Sequence, residues 1–135
     1  MASKVFPGEF SSLEKISDFI EKHAQICGLD ENATYAVRLA VDEACSNIIE
    51  HAYGGEGLGN IECTCNVLDD GLEVVLRDKG KSFNPDDIQE IEVGIPLEKL
   101  GNRGAGIFLI NKLMDEVHFE FSKQEGTTLV LKKKK

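Results

Sequence analysis

Two polar residues, Glu43 and Asn47, stand four apart in a segment whose other positions are largely apolar. On a helix, residues i and i+4 share a face with β-carbons about 5–6 Å apart, so carboxylate and carboxamide can converge on one site. Such a pair could accept a proton and offer a neutral oxygen to a hard cation such as magnesium, which takes oxygen ligands and keeps positions for phosphates. An exposed polar helix face also explains it. A second carboxylate, Asp78, closes an apolar run and is followed by Lys79-Gly80. A carboxylate where a strand stops can accept hydrogen bonds from an amino group such as that of adenine, and the glycine lets backbone approach a flat ring. Asp-x-Gly is also a common turn.

The third group is Asn102-Arg103-Gly104-Ala105-Gly106, directly before the apolar Ile107-Phe108-Leu109-Ile110. Glycines at a helix start expose N–H groups where the helix dipole favours an anion such as phosphate. Neither a Walker lysine signature nor a strand-to-helix Gly-x-Gly-x-x-Gly is present, which argues against P-loop and Rossmann sites. The fourth group, Gly126-Thr127-Thr128, precedes Leu129-Val130-Leu131, where threonines also serve simply as strand formers.

These groups need elements to hold them. Ser11-Ser12-Leu13-Glu14 has capping-box order, and Leu13, Ile16, Ile20, Ala24 and Cys27 mark an amphipathic helix closed by Gly28. Asp30 can cap a second helix, whose apolar stripe Val37, Ala40, Val41, Ala44, Ile48 and Ala52 ends before Gly54-Gly55. Ile61, Cys63, Cys65 and Val67 alternate with polar residues, and Asp69-Asp70-Gly71 leads into Leu72–Leu76, the pattern of a hairpin. Residues 84–103 read as a long loop, with at most a helical turn near Pro85–Glu90, and a loop of that length usually has a function. Gly104–Gly106 then open a helix through Met114, and two closing strands meet around Gly126. The order helix, helix, strand, strand, loop, helix, strand, strand implies an α+β domain, a helix layer on one face of a largely antiparallel sheet.

A chain of 135 residues with 41% hydrophobic and 29% charged residues is an ordered single domain, 1–135, with a core of its own. No apolar run approaches the roughly 20 residues of a membrane span and the start lacks a signal-peptide stretch, so the expected location is the cytoplasm. The net charge of −9 repels phosphate backbones and argues against nucleic-acid binding. Lys132–Lys135 reads as a short basic tail in solvent. Cys27, Cys45, Cys63 and Cys65 lack Cys-x-x-Cys spacing and read as reduced thiols packed as small apolar groups, although Cys63 and Cys65 share a strand face.

In combination the four groups are far more specific than any one. Val41–Asn47, Arg77–Pro85, Arg103–Ile110, Met114–Val117 and Gly126–Thr128, in this order, resemble the stand-alone GHKL-type ATPase domains of the bacterial anti-sigma factor serine/threonine kinases over nearly the whole chain. The resemblance implies a two-layer α/β sandwich of the GHKL (Bergerat) type binding ATP with Mg2+. It implies Glu43 as general base, Asn47 as magnesium ligand, and Asp78 as adenine acceptor with Gly80 beside it. Gly104, Ala105 and Gly106 become the phosphate-binding turn, Thr127 a supporter of the adenine site, and 84–103 a lid over ATP with Arg103 near the phosphates. The lid's apolar Ile91, Val93, Ile95 and Leu97 suggest that it packs on nucleotide or partner. His51, one turn beyond Asn47, could face the nucleotide or be satisfied by a carbonyl. The implied partners are an anti-anti-sigma protein as phosphoryl acceptor and a sigma factor, with a homodimer as a candidate assembly. An ATP-gated binding module that moves no phosphate is the alternative.

Overall fold

The computed structural model describes residues 1–80, 101–122 and 126–135. Among the described residues the expected helices and strands follow in the expected order, with a strand added at the start and a π-turn after the second helix. Strand β1 (Ala2–Pro7) precedes helices α1 (Ser12–Cys27) and α2 (Glu31–Asn47), a π-helical turn (Ile48–Ala52), strands β2 (Asn60–Leu68) and β3 (Gly71–Asp78), helix α3 (Gly101–Leu113), and strands β4 (Glu116–Ser122) and β5 (Gly126–Lys134). β1 left little periodic signal because it is an edge strand: only Phe6 is buried. It runs antiparallel to β2, Phe6 opposite Ile61.

The five strands form one antiparallel sheet in the order β1-β2-β3-β5-β4, so the last strand in sequence lies between two earlier ones. Alternation along a strand sends every second side chain to the same face. On β3 this places Leu72, Val74, Leu76 and Asp78 on the helix-covered side; on β5 it places Thr127, Leu129 and Leu131 there, with Asp78 opposite Thr127. The core is built from that face together with Ile16, Ile20 and Ala24 of α1 and Val37, Val41 and Ala44 of α2. Asp78 and Thr127 are therefore the polar end of an apolar stripe.

Local chemistry explains most element ends. Asp30 caps α2 through Oδ1, which accepts from the Ala33 N–H at 2.7 Å. Gly28 ends α1 in the left-handed region (φ 87°), its N–H donating to Ala24 and Gln25 carbonyls. The expected capping box at Ser11 does not form. Ser11 is itself helical and makes no side-chain cap, because a preceding turn, Ser12 N–H to Glu9 O, already leads into the helix. Gly71 is needed for a reason other than its turn: a β-carbon there would lie 2.1 Å from the Lys133 carbonyl oxygen of the adjoining β5.

The basic tail is also corrected. Lys132–Lys134 are part of β5: Lys132 lies 3.7 Å from Glu73 and 3.9 Å from Glu116, and Lys133 Nζ donates to the Leu113 carbonyl that ends α3. All four cysteines are buried and unpaired, as expected of packed thiols. The Cys65 side chain hydrogen-bonded to Cys63, then burial, raise the Cys63 thiol far above its ordinary range. No helix among the described residues is long and apolar enough to cross a membrane.

Candidate active site

Glu43 and Asn47 lie half-buried on α2, beside the fully buried Ala44. They are at the edge of the apolar stripe, where their spacing placed them. Their neighbour across the helix interface is Gly106: a β-carbon on that glycine would lie 2.9 Å from Asn47 Nδ2 and 3.1 Å from Glu43 Oε2. The first and third sequence groups thus meet, with the backbone of α3 against both polar side chains.

The second and fourth groups meet across the β3–β5 register. Asp78 is 4% exposed and its Oδ1 accepts the Gly80 N–H at 3.0 Å. Gly80 is pressed against the π-turn; a β-carbon there would lie 2.6 Å from the Ala52 carbonyl carbon and oxygen. Gly126 (φ 87°) is similarly closed, with the Asp78 carbonyl oxygen 2.0 Å from where its β-carbon would stand. Thr127 is 7% exposed and its hydroxyl has no hydrogen-bond partner among the described residues. Buried polar atoms are normally satisfied, so an orphan of this kind points to a missing partner.

Between the two halves lies a hollow lined by Asn47, Ala52, Asp78, Ile107, Thr127 and Leu129, among others. Its volume is about 40 Å³. Apolar walls with a carboxylate acceptor and an unsatisfied hydroxyl at one end suit a flat base carrying an amino donor. Among the described residues no three His, Cys, Asp or Glu side chains gather to hold a metal. A cation beside Asn47 would therefore draw its remaining ligands from phosphates and water, the usual habit of magnesium.

Other placements differ from expectation. α3 begins at Gly101 rather than at Gly104, so Gly104, Ala105 and Gly106 lie inside the helix instead of preceding it, and Arg103 belongs to its first turn. Residues 84–100 of the expected lid, including Ile91, Val93, Ile95 and Leu97, lie outside the described residues. The second helix changes to a π-turn after Asn47, where Tyr53 N–H reaches back to the Ile48 carbonyl. His51 in this turn finds no carbonyl for Nε2; that atom lies 3.8 Å from Glu50 Oε2 with no hydrogen-bond partner among the described residues.

Electrostatics separate three nearby groups. Burial pushes the Asp42 carboxyl up, partly offset by Arg38. Burial, then the charges of Asp42 and Asp78, raise the Cys45 thiol far above its usual range. Burial also raises the Tyr53 phenol. Tyr53 and Phe119 border the site yet carried no motif, whereas Ile107 stood in the Arg103–Ile110 stretch; the recurrence of Ala44, Ile48 and Ala52 at intervals of four was the available signal for the wall.

Comparison with known proteins bears on the family and the fold. The chain is 35% identical over 101 residues to the serine-protein kinase RsbW of Bacillus mycoides and 37% identical over 101 residues to that of Halalkalibacterium halodurans. Each match covers 72% of this chain and spans 61% and 60%, respectively, of those relatives. Among solved structures it resembles the histidine kinase domain of the Erythrobacter litoralis EL346 blue-light activated histidine kinase (TM-score 0.60, 17% identity, 96% of this chain and 61% of that one). It also resembles the mycobacterial sensor histidine kinase MprB (TM-score 0.55, 11% identity, 99% of this chain and 100% of that one). The profile of the histidine kinase-like ATPase domain matches residues 6–133, and with the sheet, the helix layer and the hollow between them it places the chain in that family.

Proposed function

We propose that the chain is a magnesium-dependent serine/threonine protein kinase that moves the γ-phosphoryl group of ATP to a hydroxyl of an anti-anti-sigma partner, and that it also holds a sigma factor. The observation that carries the reading is the convergence of Glu43 and Asn47 on the backbone at Gly106, beside the hollow that ends in Asp78 and Thr127. The naming of the relatives as serine-protein kinases supports it.

In this reading Asp78 accepts a hydrogen bond from the adenine amino group, and the base supplies the partner that the Thr127 hydroxyl lacks among the described residues. Gly80 and Gly126 keep the approach to Asp78 free of β-carbons. The phosphate chain is received at the start of α3, whose first N–H groups and positive dipole end favour an anion. Arg103, Gly104, Ala105 and Gly106, all within α3, are assigned to the phosphate chain. Asn47 holds magnesium, which when bound neutralises phosphate charge. Glu43 accepts the proton of the attacking serine or threonine hydroxyl. Phosphoryl transfer depends mainly on positioning and charge stabilisation, so a site with one base and no covalent nucleophile suffices.

The test is incubation with γ-labelled ATP, magnesium and a serine-bearing anti-anti-sigma protein. Label on the partner's serine, absent with Glu43→Ala, is the expected result. ATP binding without label on any partner would overturn the kinase reading.

A further inference from the structure

Tyr53, the residue immediately after the π-turn, is bonded at its hydroxyl to two strands at once. It donates to the Asn60 carbonyl at 2.5 Å, at the start of β2, and accepts the Lys79 N–H at 3.1 Å, just past the end of β3. Its ring lies over Gly59 so closely that a β-carbon on that glycine would fall 2.3 Å from the ring. Lys79 is flanked by Asp78 and Gly80. Gly80 N–H is bound by Asp78 Oδ1, and the Gly80 backbone is jammed against Ala52. Ala52 and Tyr53, neighbours in sequence, therefore grip the Asp78–Gly80 turn from two directions. π-turns within helices often occur at functional sites; here the turn delivers this grip.

Resting on the adenine reading of Asp78, we propose that Tyr53 is a positioning residue for base recognition. Its hydroxyl fixes the Lys79 amide, and through it the direction in which Asp78 presents its carboxylate to the purine amino group. The residue touches neither phosphate nor acceptor hydroxyl in this scheme, so its effect belongs to binding and base choice, with the transfer step left alone.

Tyr53→Phe removes both hydrogen bonds and keeps the ring over Gly59. The experiment compares ATP with inosine triphosphate, which has a carbonyl in place of the amino group, by titration calorimetry on the full chain. The expected result is a Kd for ATP raised about 5–10-fold, the order of a lost hydrogen bond, with that for inosine triphosphate changed less than about twofold. Saturated kcat should stay within about twofold, and amide exchange at Lys79 should accelerate. Equal weakening of both nucleotides would mark Tyr53 as merely structural and overturn the proposal, as would an unchanged ATP Kd. Gly59→Ala, which displaces the ring and keeps the hydroxyl, should lower the same discrimination ratio; if it leaves the ratio intact, the proposal fails. Should the parent chain bind neither nucleotide, or both alike, the adenine reading itself falls; a parent that discriminates beside variants that discriminate equally well sinks only the role of Tyr53.

Discussion

Gly106 and Asn47 are packed backbone against side chain: the space a β-carbon would occupy on Gly106 is 2.9 Å from the Asn47 carboxamide nitrogen. Gly106→Ala must push that carboxamide, and with it Glu43, out of place. Alanine is favoured over glycine inside a helix by up to about 1 kcal/mol, so the variant should melt no lower than the parent. Phosphoryl transfer should nonetheless fall at least about tenfold. A thermal melt run beside a kinase assay separates the two effects, and full activity in the variant would show that Asn47 has room to spare.

Glu43 and Asn47 should differ in what they affect. Glu43→Ala is expected to abolish transfer with ATP affinity changed less than about twofold, since the carboxylate is assigned to the acceptor proton. Asn47→Ala should instead reduce the dependence of ATP binding on magnesium. Titrations with and without the cation check both, and a collapse of ATP affinity in Glu43→Ala would reassign it as a structural group.

At the base end, Asp78→Asn keeps an oxygen for the Gly80 N–H but changes the acceptor presented to the base. ATP affinity should drop about tenfold or more, roughly 1.4 kcal/mol, while the melt shifts little. Gly80→Ala should do worse on both counts. Its β-carbon meets backbone atoms of Ala52 rather than a yielding side chain, and overpacking of that kind costs about 1–3 kcal/mol. Chemical denaturation alongside calorimetry reads out the pair.

The thiols make a prediction about reactivity. Thiolates are the reactive form, and burial holds Cys45 and Cys63 protonated well above neutral pH. A thiol reagent at pH 8 should therefore label none of the four buried cysteines rapidly in the folded chain and all four after unfolding. Fast labelling of the native protein would reveal an opening that exposes the core face of β2.

Asp42 gives a pH dependence. A carboxyl whose pKa is raised by folding stabilises the fold below its ordinary value near 3.8, and that contribution is lost as pH rises through the raised value. Above this window the ionised group is partly desolvated, so Asp42→Asn should melt higher than the parent at pH 7, by less than about 4 °C for a half-buried group. Near pH 3 the two should coincide. A difference that persists there would trace to packing instead.

Much of this was legible in the residues themselves. Helical spacing placed Glu43 and Asn47 on one edge, strand alternation put Asp78 at the end of an inward stripe, and Asp30 and Gly28 set helix ends by local hydrogen bonding. What escaped was set by contacts distant in sequence. β1 is held by pairing with β2 rather than by a buried face of its own. Ser11 lost its capping role to a turn formed upstream. The π-turn left no mark in a stretch that continues an α-helical apolar pattern, and the start of α3 shifted three residues ahead of the glycines. Tyr53 was invisible because its partners, Asn60 and Lys79, are brought near only by the hairpin.

The placement of β5 between β3 and β4 bears on how the chain is born. The β2-β3 hairpin is local, and β1, already made, can join its outer edge, whereas β4 has no neighbour in the sheet until β5 follows and pairs with both β3 and β4. Thr127 and Leu129, on that late-arriving strand, wall the hollow, so the pocket has its full lining only once β5 has joined the sheet.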